Sequence, residues 1–324
     1  FWRAFRNRAN VTTIGIGNLT VGGSGKTPFA LFLANRLLER GAAVAIASRG
    51  YGRTGKHAML VSDGSELNAD PGQAGDEPAM MARAFAGPIA VAKRRIDAIE
   101  LLRNLGPLDV VVLDDAFQHA RLACDINLLV INAQQGFGNG WILPAGPMRE
   151  PPSAARRADA IILILSGDEH GDPLTRRQRA KLGSAPRLGA SLRPRSLVYA
   201  ERGKWREAPL ALAGRRIVAV SGLANPAGFY AMLRKLDADL VGVLEFPDHH
   251  AYSSSDWQAI AAASRDGALL VTTEKDLVKL ERFPFARDSL YALRLEVAMS
   301  DSDLAALDEL INARVRSPHI AASA

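Results

Sequence analysis

Apolar residues in this chain fall into two rhythms that alternate along its length. Short runs rich in β-branched and aliphatic residues occupy 11–16, 42–47, 89–91, 108–113, 126–132 and 160–165, the pattern of strands buried on both faces. Between them lie helices: one over 29–38, one opened by Gly75-Asp76-Glu77-Pro78 and running to about residue 85, and one from Lys93-Arg94-Arg95 to about 104. From 167 to about 203 both rhythms weaken, and a charged surface helix followed by a linker is expected. The alternation then resumes, with strands at 217–220, 239–246, 268–272 and 290–295 and helices at 226–235, 255–264 and 304–315. Such repetition predicts an α/β protein: a parallel sheet with helices on both faces, plus a second, smaller Rossmann-like α/β lobe. The boundary falls in the weak stretch, giving domains over 1–200 and 201–324.

A chain of 324 residues is long enough for two such domains, and its 48% apolar and 23% charged residues are those of an ordinary globular protein. With Cys124 alone, no internal disulfide can form, and a reducing compartment fits. No apolar run approaches the ~18–20 residues of a membrane-spanning helix. At 1–9, however, Phe1, Trp2 and Phe5 share one helical face with Arg elsewhere, which suits a membrane-interface segment or a docked terminal helix. The net charge of +6 favours anionic partners, although only eight of the 40 basic residues are Lys, as an Arg-rich coding bias would give. No basic run is interleaved with aromatics, so nucleic-acid binding is not expected.

The chemistry centres on Thr20-Val21-Gly22-Gly23-Ser24-Gly25-Lys26-Thr27-Pro28, set between a strand and a helix. That context predicts a phosphate-binding loop and makes the larger lobe P-loop NTPase-like. Gly22, Gly23 and Gly25 let the backbone wrap an anion, and the helix beginning near Lys26 adds its unpaired N–H groups. Lys26 would reach the β- and γ-phosphates of ATP, and the Thr27 hydroxyl would ligate Mg²⁺. Thr20 stands where such loops usually carry Gly, and the plain alternative is a glycine turn.

Further candidates lie where strands end. Residues 108–113 lead into Asp114-Asp115, the place from which phosphate-loop enzymes hold Mg²⁺; an exposed acidic turn is the alternative. The second strand delivers Arg49 and Tyr51 to the same sheet edge, where ligands gather in open α/β sheets. Asp76 is suited to cap a helix. The Gly- and Pro-rich stretch 136–152 has no periodicity and is too long to be a mere connection.

With Gly17-Asn18-Leu19 leading into the loop, the sequence resembles the tetraacyldisaccharide 4′-kinases. Matching blocks follow in family order at 48–53, 75–78, 114–119, 138–151, 246–250 and 273–276. Thr20 is a feature of that family, Ser24 occupies a variable position, and Ala116 stands where Gly is usual. Members carry an N-terminal hydrophobic or amphipathic helix, of which residues 1–9 match only the end. The resemblance implies transfer of the ATP γ-phosphate to the 4′-hydroxyl of a lipid A disaccharide precursor by two closing lobes. It implies a monomer at the cytoplasmic face of the inner membrane, peripheral or anchored on its anionic surface. It further implies Asp76 as general base, paired with His249 or His250. Asp114, Asp115 and Glu150 would complete the Mg²⁺ shell with Thr27. Arg95, Arg149 and Arg49 would place charge on the γ-phosphate or the lipid's 1-phosphate, and Gln118 and Tyr51 would give neutral hydrogen bonds. On pattern alone, His249 and His250 are equally a turn before the next helix.

Two other classes share features with this chain. A GTPase-type switch would read guanine from a strand end, which Thr273-Glu274-Lys275-Asp276 partly matches, although Glu replaces the amide or hydroxyl residue before Lys. A nucleotide-binding regulator of a membrane complex would need the loop but no acceptor base.

Overall fold

The computed structural model describes residues 9–119, 121–165, 174–264, 267–283 and 289–315; the interfacial segment expected at 1–9 lies almost wholly outside them. Strand β1 (Thr12–Gly17) runs into the glycine loop and helix α1 (Lys26–Glu39). Thr27, Phe29, Ala30, Leu33, Ala34 and Leu37 recur at helical spacing and form the buried face of α1. Around β1 stand β2 (Val44–Ser48), β4 (Ile89–Val91), β5 (Val110–Leu113), β6 (Ile126–Asn132) and β7 (Ala160–Leu165). All pair in parallel, and β3 (Met59–Ser62) closes the edge antiparallel to β4. Aliphatic side chains above and below this sheet form separate clusters, one around Ile14, Phe29 and Ile46, the other around Ala45, Ile99 and Val111.

The charged surface helix expected after residue 167 is present as α5 (Arg176–Leu182), but the stretch expected as a linker is instead the 15-residue strand β8 (Arg187–Glu201). Its polar residues and Pro194 hide the strand rhythm, because much of β8 is not buried on both faces. β8 pairs in parallel with β7 and antiparallel with β9 (Lys204–Ala208) and β13 (Leu290–Met299). The sheet therefore continues unbroken, in the order β11-β10-β12-β13-β8-β7-β6-β1-β5-β2-β4-β3. Here β10 is Arg216–Ser221, β11 Asp239–Glu245 and β12 Leu269–Thr273, joined through α6 (Ala227–Lys235) and α7 (Ser254–Ala263). Helix α8 (Glu274–Leu280) follows β12 directly.

Helix α9 (Asp301–Asn312) returns to the first half of the chain. Leu307 and Ile311 join the cluster of Ile14 and Leu33, and Arg36 Nε donates to Asp308 Oδ1 at 3.0 Å. Helix α4 (Arg95–Arg103) packs on β2, β3 and β4, α3 (Asp76–Ala82) on β3, β4 and, across the chain, α8, and α2 (Pro71–Ala74) on α3.

Candidate active site

The phosphate loop has the backbone its glycines allow. Gly22 (φ 97°) and Gly25 (φ 83°) are left-handed, and Gly25 caps α1. A Cβ on Gly22 or Gly23 would meet nothing within 4 Å, so the rim of the loop faces open space. The Gly- and Pro-rich stretch straps this loop: Val21 N–H donates to Pro147 O at 2.8 Å and Arg149 N–H to Leu19 O at 2.7 Å. Ser24 is buried beneath it, its hydroxyl without a hydrogen-bond partner.

Beside the loop, β5 pairs with β1 and ends at the two aspartates. Asp115 is left-handed (φ 51°), which turns the chain sharply there. Its carboxylate takes Arg149 Nη1 at 2.9 and 3.1 Å and lies 3.5 Å from Lys26 Nζ. Burial would raise its pKa, but the charges of Lys26 and Arg149 overcome this and hold it below the ordinary value. Asp114 is nearly fully buried; Oδ2 accepts from Ser48 Oγ at 3.4 Å, and Oδ1 has no hydrogen-bond partner. Burial, then the charge of Glu77, push its pKa up to about 7.

Several predicted residues are engaged elsewhere. Arg95 is 2% exposed and turned inward, its guanidinium donating to the carbonyls of Ala92, Asp114 and Asp115 at 3.0–3.2 Å. Burial lowers its pKa to about 10, against the pull of Asp114 and Asp115. It thus braces the aspartate turn. Glu150 does not join the aspartates: Arg157 grips it at 2.7 and 2.9 Å. Gln118 donates to Asn18 O at 2.7 Å, tying the aspartate turn to the base of the loop.

A second cluster forms where the two halves of the chain meet. Asp76 is not a helix cap: Gly75 (φ 93°) caps α3, and Asp76 is its first helical residue. Asp76 Oδ2 lies 3.1 Å from His249 Nδ1 and 3.5 Å from Lys279 Nζ. His250 turns away to Asp256 at 3.0 Å and stacks on Phe246, so the structure brings His249, not His250, to Asp76. Tyr51, 69% exposed, lies with its ring 5.4 Å from that of His249, and Arg49 is also exposed. Asp76 and His249 border a cavity of about 730 Å³ that also reaches Arg83, Tyr252, Lys279 and Arg282.

Sequence reasoning missed Glu77, Lys275 and Lys279, whose parts depend on neighbours distant along the chain. It also read Thr273–Asp276 as a possible guanine reader. Asp276 is fully buried and its oxygens accept from Gly222 N–H, Tyr252 and Thr273, so it faces the interior and is not open to a base.

Among the described residues no three acidic, His or Cys side chains converge as a metal cluster. A Mg²⁺ ion bound beside a nucleotide needs only one or two carboxylates. An unpartnered buried carboxylate oxygen next to a phosphate loop, with a second acid nearby, fits that need.

A phosphate loop opening a helix beneath a parallel sheet, with a strand-end aspartate pair beside it, defines a P-loop α/β protein of the phosphotransferase class. The family model described as Tetraacyldisaccharide-1-P 4′-kinase matches residues 3–316, and the chain belongs to that family. It is 42% identical over 306 residues to the tetraacyldisaccharide 4′-kinase of Anaeromyxobacter dehalogenans, covering 92% of this chain and 79% of the relative. With that of Geobacter metallireducens it shares 40% over 301 residues, covering 90% and 85%. Among solved structures it is similar to LpxK from Aquifex aeolicus in complex with ATP, with a TM-score of 0.78 and 30% identity over 96% of this chain and 90% of that one.

Proposed function

We propose that this chain transfers the γ-phosphate of ATP to the 4′-hydroxyl of a tetraacylated glucosamine disaccharide 1-phosphate, the lipid A precursor. The observation that carries this reading is the pairing of Asp76 with His249 from the other half of the chain, in a protein of this family. The loop N–H groups and Lys26 bind the β- and γ-phosphates and spread the charge that develops on transfer. The Thr27 hydroxyl, Asp114 and Asp115 would hold Mg²⁺, which neutralises phosphate charge. Arg149 and Arg95 keep the aspartate turn in place, the first through its side chain and the second through its carbonyls.

Asp76 accepts the proton of the attacking hydroxyl, and His249 orients it. Arg49 and Tyr51, exposed near this pair, are positioned to contact the acceptor. Two lobes, the smaller from about residue 201, close around the nucleotide. We infer from the family resemblance that the chain works as a monomer on the anionic cytoplasmic face of the inner membrane, where a tetraacylated acceptor would be met. No helix among the described residues is long and apolar enough to cross a membrane, which fits attachment to that surface.

Incubation with ATP, Mg²⁺ and the lipid disaccharide 1-phosphate tests the reading. Conversion of the mono- to the bisphosphorylated lipid is expected, with ATP preferred over GTP. Nucleotide binding without any phosphorylated lipid would overturn it in favour of a nucleotide-binding regulator.

A further inference from the structure

The phosphoryl-transfer scheme gives no part to Lys275, yet its side chain reaches His249, the partner of Asp76. The preceding turn is rigidly built. Thr273 caps α8, and buried Asp276 accepts from Gly222 N–H at 2.9 Å, Tyr252 Oη at 3.0 Å and Thr273 Oγ at 2.8 Å. Lys275 Nζ then donates to Asp248 Oδ1 at 2.7 Å and lies 3.3 Å from His249 Nε2. Burial works to raise the Asp248 pKa, but the hydrogen bond and charge of Lys275 outweigh it and keep Asp248 ionised.

An ammonium group has three donors and no acceptor, so toward the imidazole it can only donate. Nε2 must then present its lone pair, and the ring proton sits on Nδ1, facing Asp76 Oδ2 at 3.1 Å. The competing arrangement, Nε2–H to Asp248 Oδ2, spans 3.8 Å and is too long for a hydrogen bond. The left-handed backbone of His249 (φ 58°) and its N–H bond to Asp248 Oδ1 at 3.1 Å fix the ring's approach. One turn along α8, Lys279 lies 3.1 Å from Asp276 and 3.5 Å from Asp76 without aligning a hydrogen bond to either. It therefore supplies charge to Asp76 but no direction. Both close side-chain contacts of the Asp76 carboxylate, to His249 Nδ1 and to Lys279 Nζ, are made through Oδ2.

We propose that Lys275 is a positioning residue that locks His249 in its Nδ1–H tautomer, so that His249 donates to Asp76 Oδ2 and leaves Oδ1 to receive the acceptor's proton. This rests on Asp76 being the general base. As the acceptor oxygen bonds to the γ-phosphorus, its proton passes to Oδ1; the bond to the bridging β-phosphate oxygen breaks, and ADP leaves with that electron pair. In the other tautomer two lone pairs, on Nδ1 and Oδ2, would face each other, and the carboxylate would turn away.

The test is ¹⁵N–¹H NMR of histidine-labelled protein at pH 8, without nucleotide or lipid, with His249 assigned from the signals lost in His249→Gln. The expected wild-type spectrum shows Nδ1 protonated and Nε2 bare. In Lys275→Met the Nε2–H form should appear while the other histidine signals hold. The kcat for lipid phosphorylation should fall about 10–100-fold, the range for outer partners that orient a functional histidine, with the KM for ATP unchanged. Lys275→Arg, which restores a donor, should recover most of the rate. A wild-type His249 carrying its proton on Nε2, or a tautomer unaltered in Lys275→Met, would overturn the proposal. The wild-type spectrum decides by itself if Lys275→Met does not fold. Because the tautomer is read with no acceptor present, a chain that fails to phosphorylate the lipid refutes the functional reading alone.

Discussion

Asp114→Asn should make the metal-free protein more stable at pH 8 while weakening its response to Mg²⁺. The Asp114 carboxyl is buried, lacks a partner for Oδ1, and titrates near 7 against an ordinary 3.8. At ~1.4 kcal/mol for each pH unit, keeping it ionised in the folded state costs about 4 kcal/mol above pH 7. The sign follows from proton binding. Between about pH 4 and 7 the folded state holds the proton more tightly than the unfolded state, so stability falls as pH rises through that window. Asn removes the charge but leaves an amide donor where Oδ1 had no partner, a loss of about 1–3 kcal/mol. The net gain at pH 8 is therefore about 1–3 kcal/mol, and it should shrink by about 2–3 kcal/mol on going to pH 5. Urea unfolding at both pH values, in EDTA, measures the difference. Mg²⁺ with a non-hydrolysable ATP analogue should then raise the stability of the parent at pH 8 more than that of Asp114→Asn. A stability difference that ignores pH, or an equal response of both proteins to Mg²⁺, would refute the reasoning.

Other perturbations separate the remaining parts of the site. Asp76→Ala should lower the single-turnover rate by about 10²–10⁴-fold with little change in ATP Kd; His249→Ala should lose less, and His250→Ala should lose no more than its surface turn costs. A rate that holds while folding or binding fails would reduce Asp76 to a structural role. Lys26→Ala should abolish measurable turnover, because the developing charge on the γ-phosphate loses its side-chain cation; near-normal kcat would remove the loop from the mechanism. Gly17→Ala would put a Cβ 2.5 Å from Phe117 Cβ and 2.7 Å from its backbone N. A destabilisation of about 1–3 kcal/mol with a raised ATP Kd is expected, as the aspartate turn is pushed off the loop; an unchanged Tm would show that Phe117 yields freely.

Much of the fold could be read in the sequence where burial is complete. Ile89–Val91, Ile126–Asn132 and Ala160–Leu165 match their expected bounds because all three lie within the sheet and are largely apolar, with Asn127 alone interrupting the second before it ends at Asn132. β8 escaped because a strand with mixed exposure loses that signature, and α8 because seven residues directly after a strand give too little helical period. At the site, the loop and the aspartate pair are local motifs and were legible. The choice between His249 and His250 was not, since it depends on a ring reaching a carboxylate 173 positions earlier. Nor was the Arg157 grip on Glu150, because a nearby cation is invisible to a motif that names only the acid.

The return of α9 to the first half of the sheet governs how the molecule can be made. Asp308 answers an arginine 272 residues earlier, and Leu307 and Ile311 cover the same core as Leu33. At ~5–20 residues per second, about 15–50 s of translation separate α1 from the helix that covers it. Throughout that interval the phosphate-loop half sits outside the ribosome with an apolar stripe bare, a hydrophobic surface for chaperones to shield. A message cut just before Asp301 would still encode every residue assigned to the chemistry, yet its product would reach the cell with that stripe uncovered.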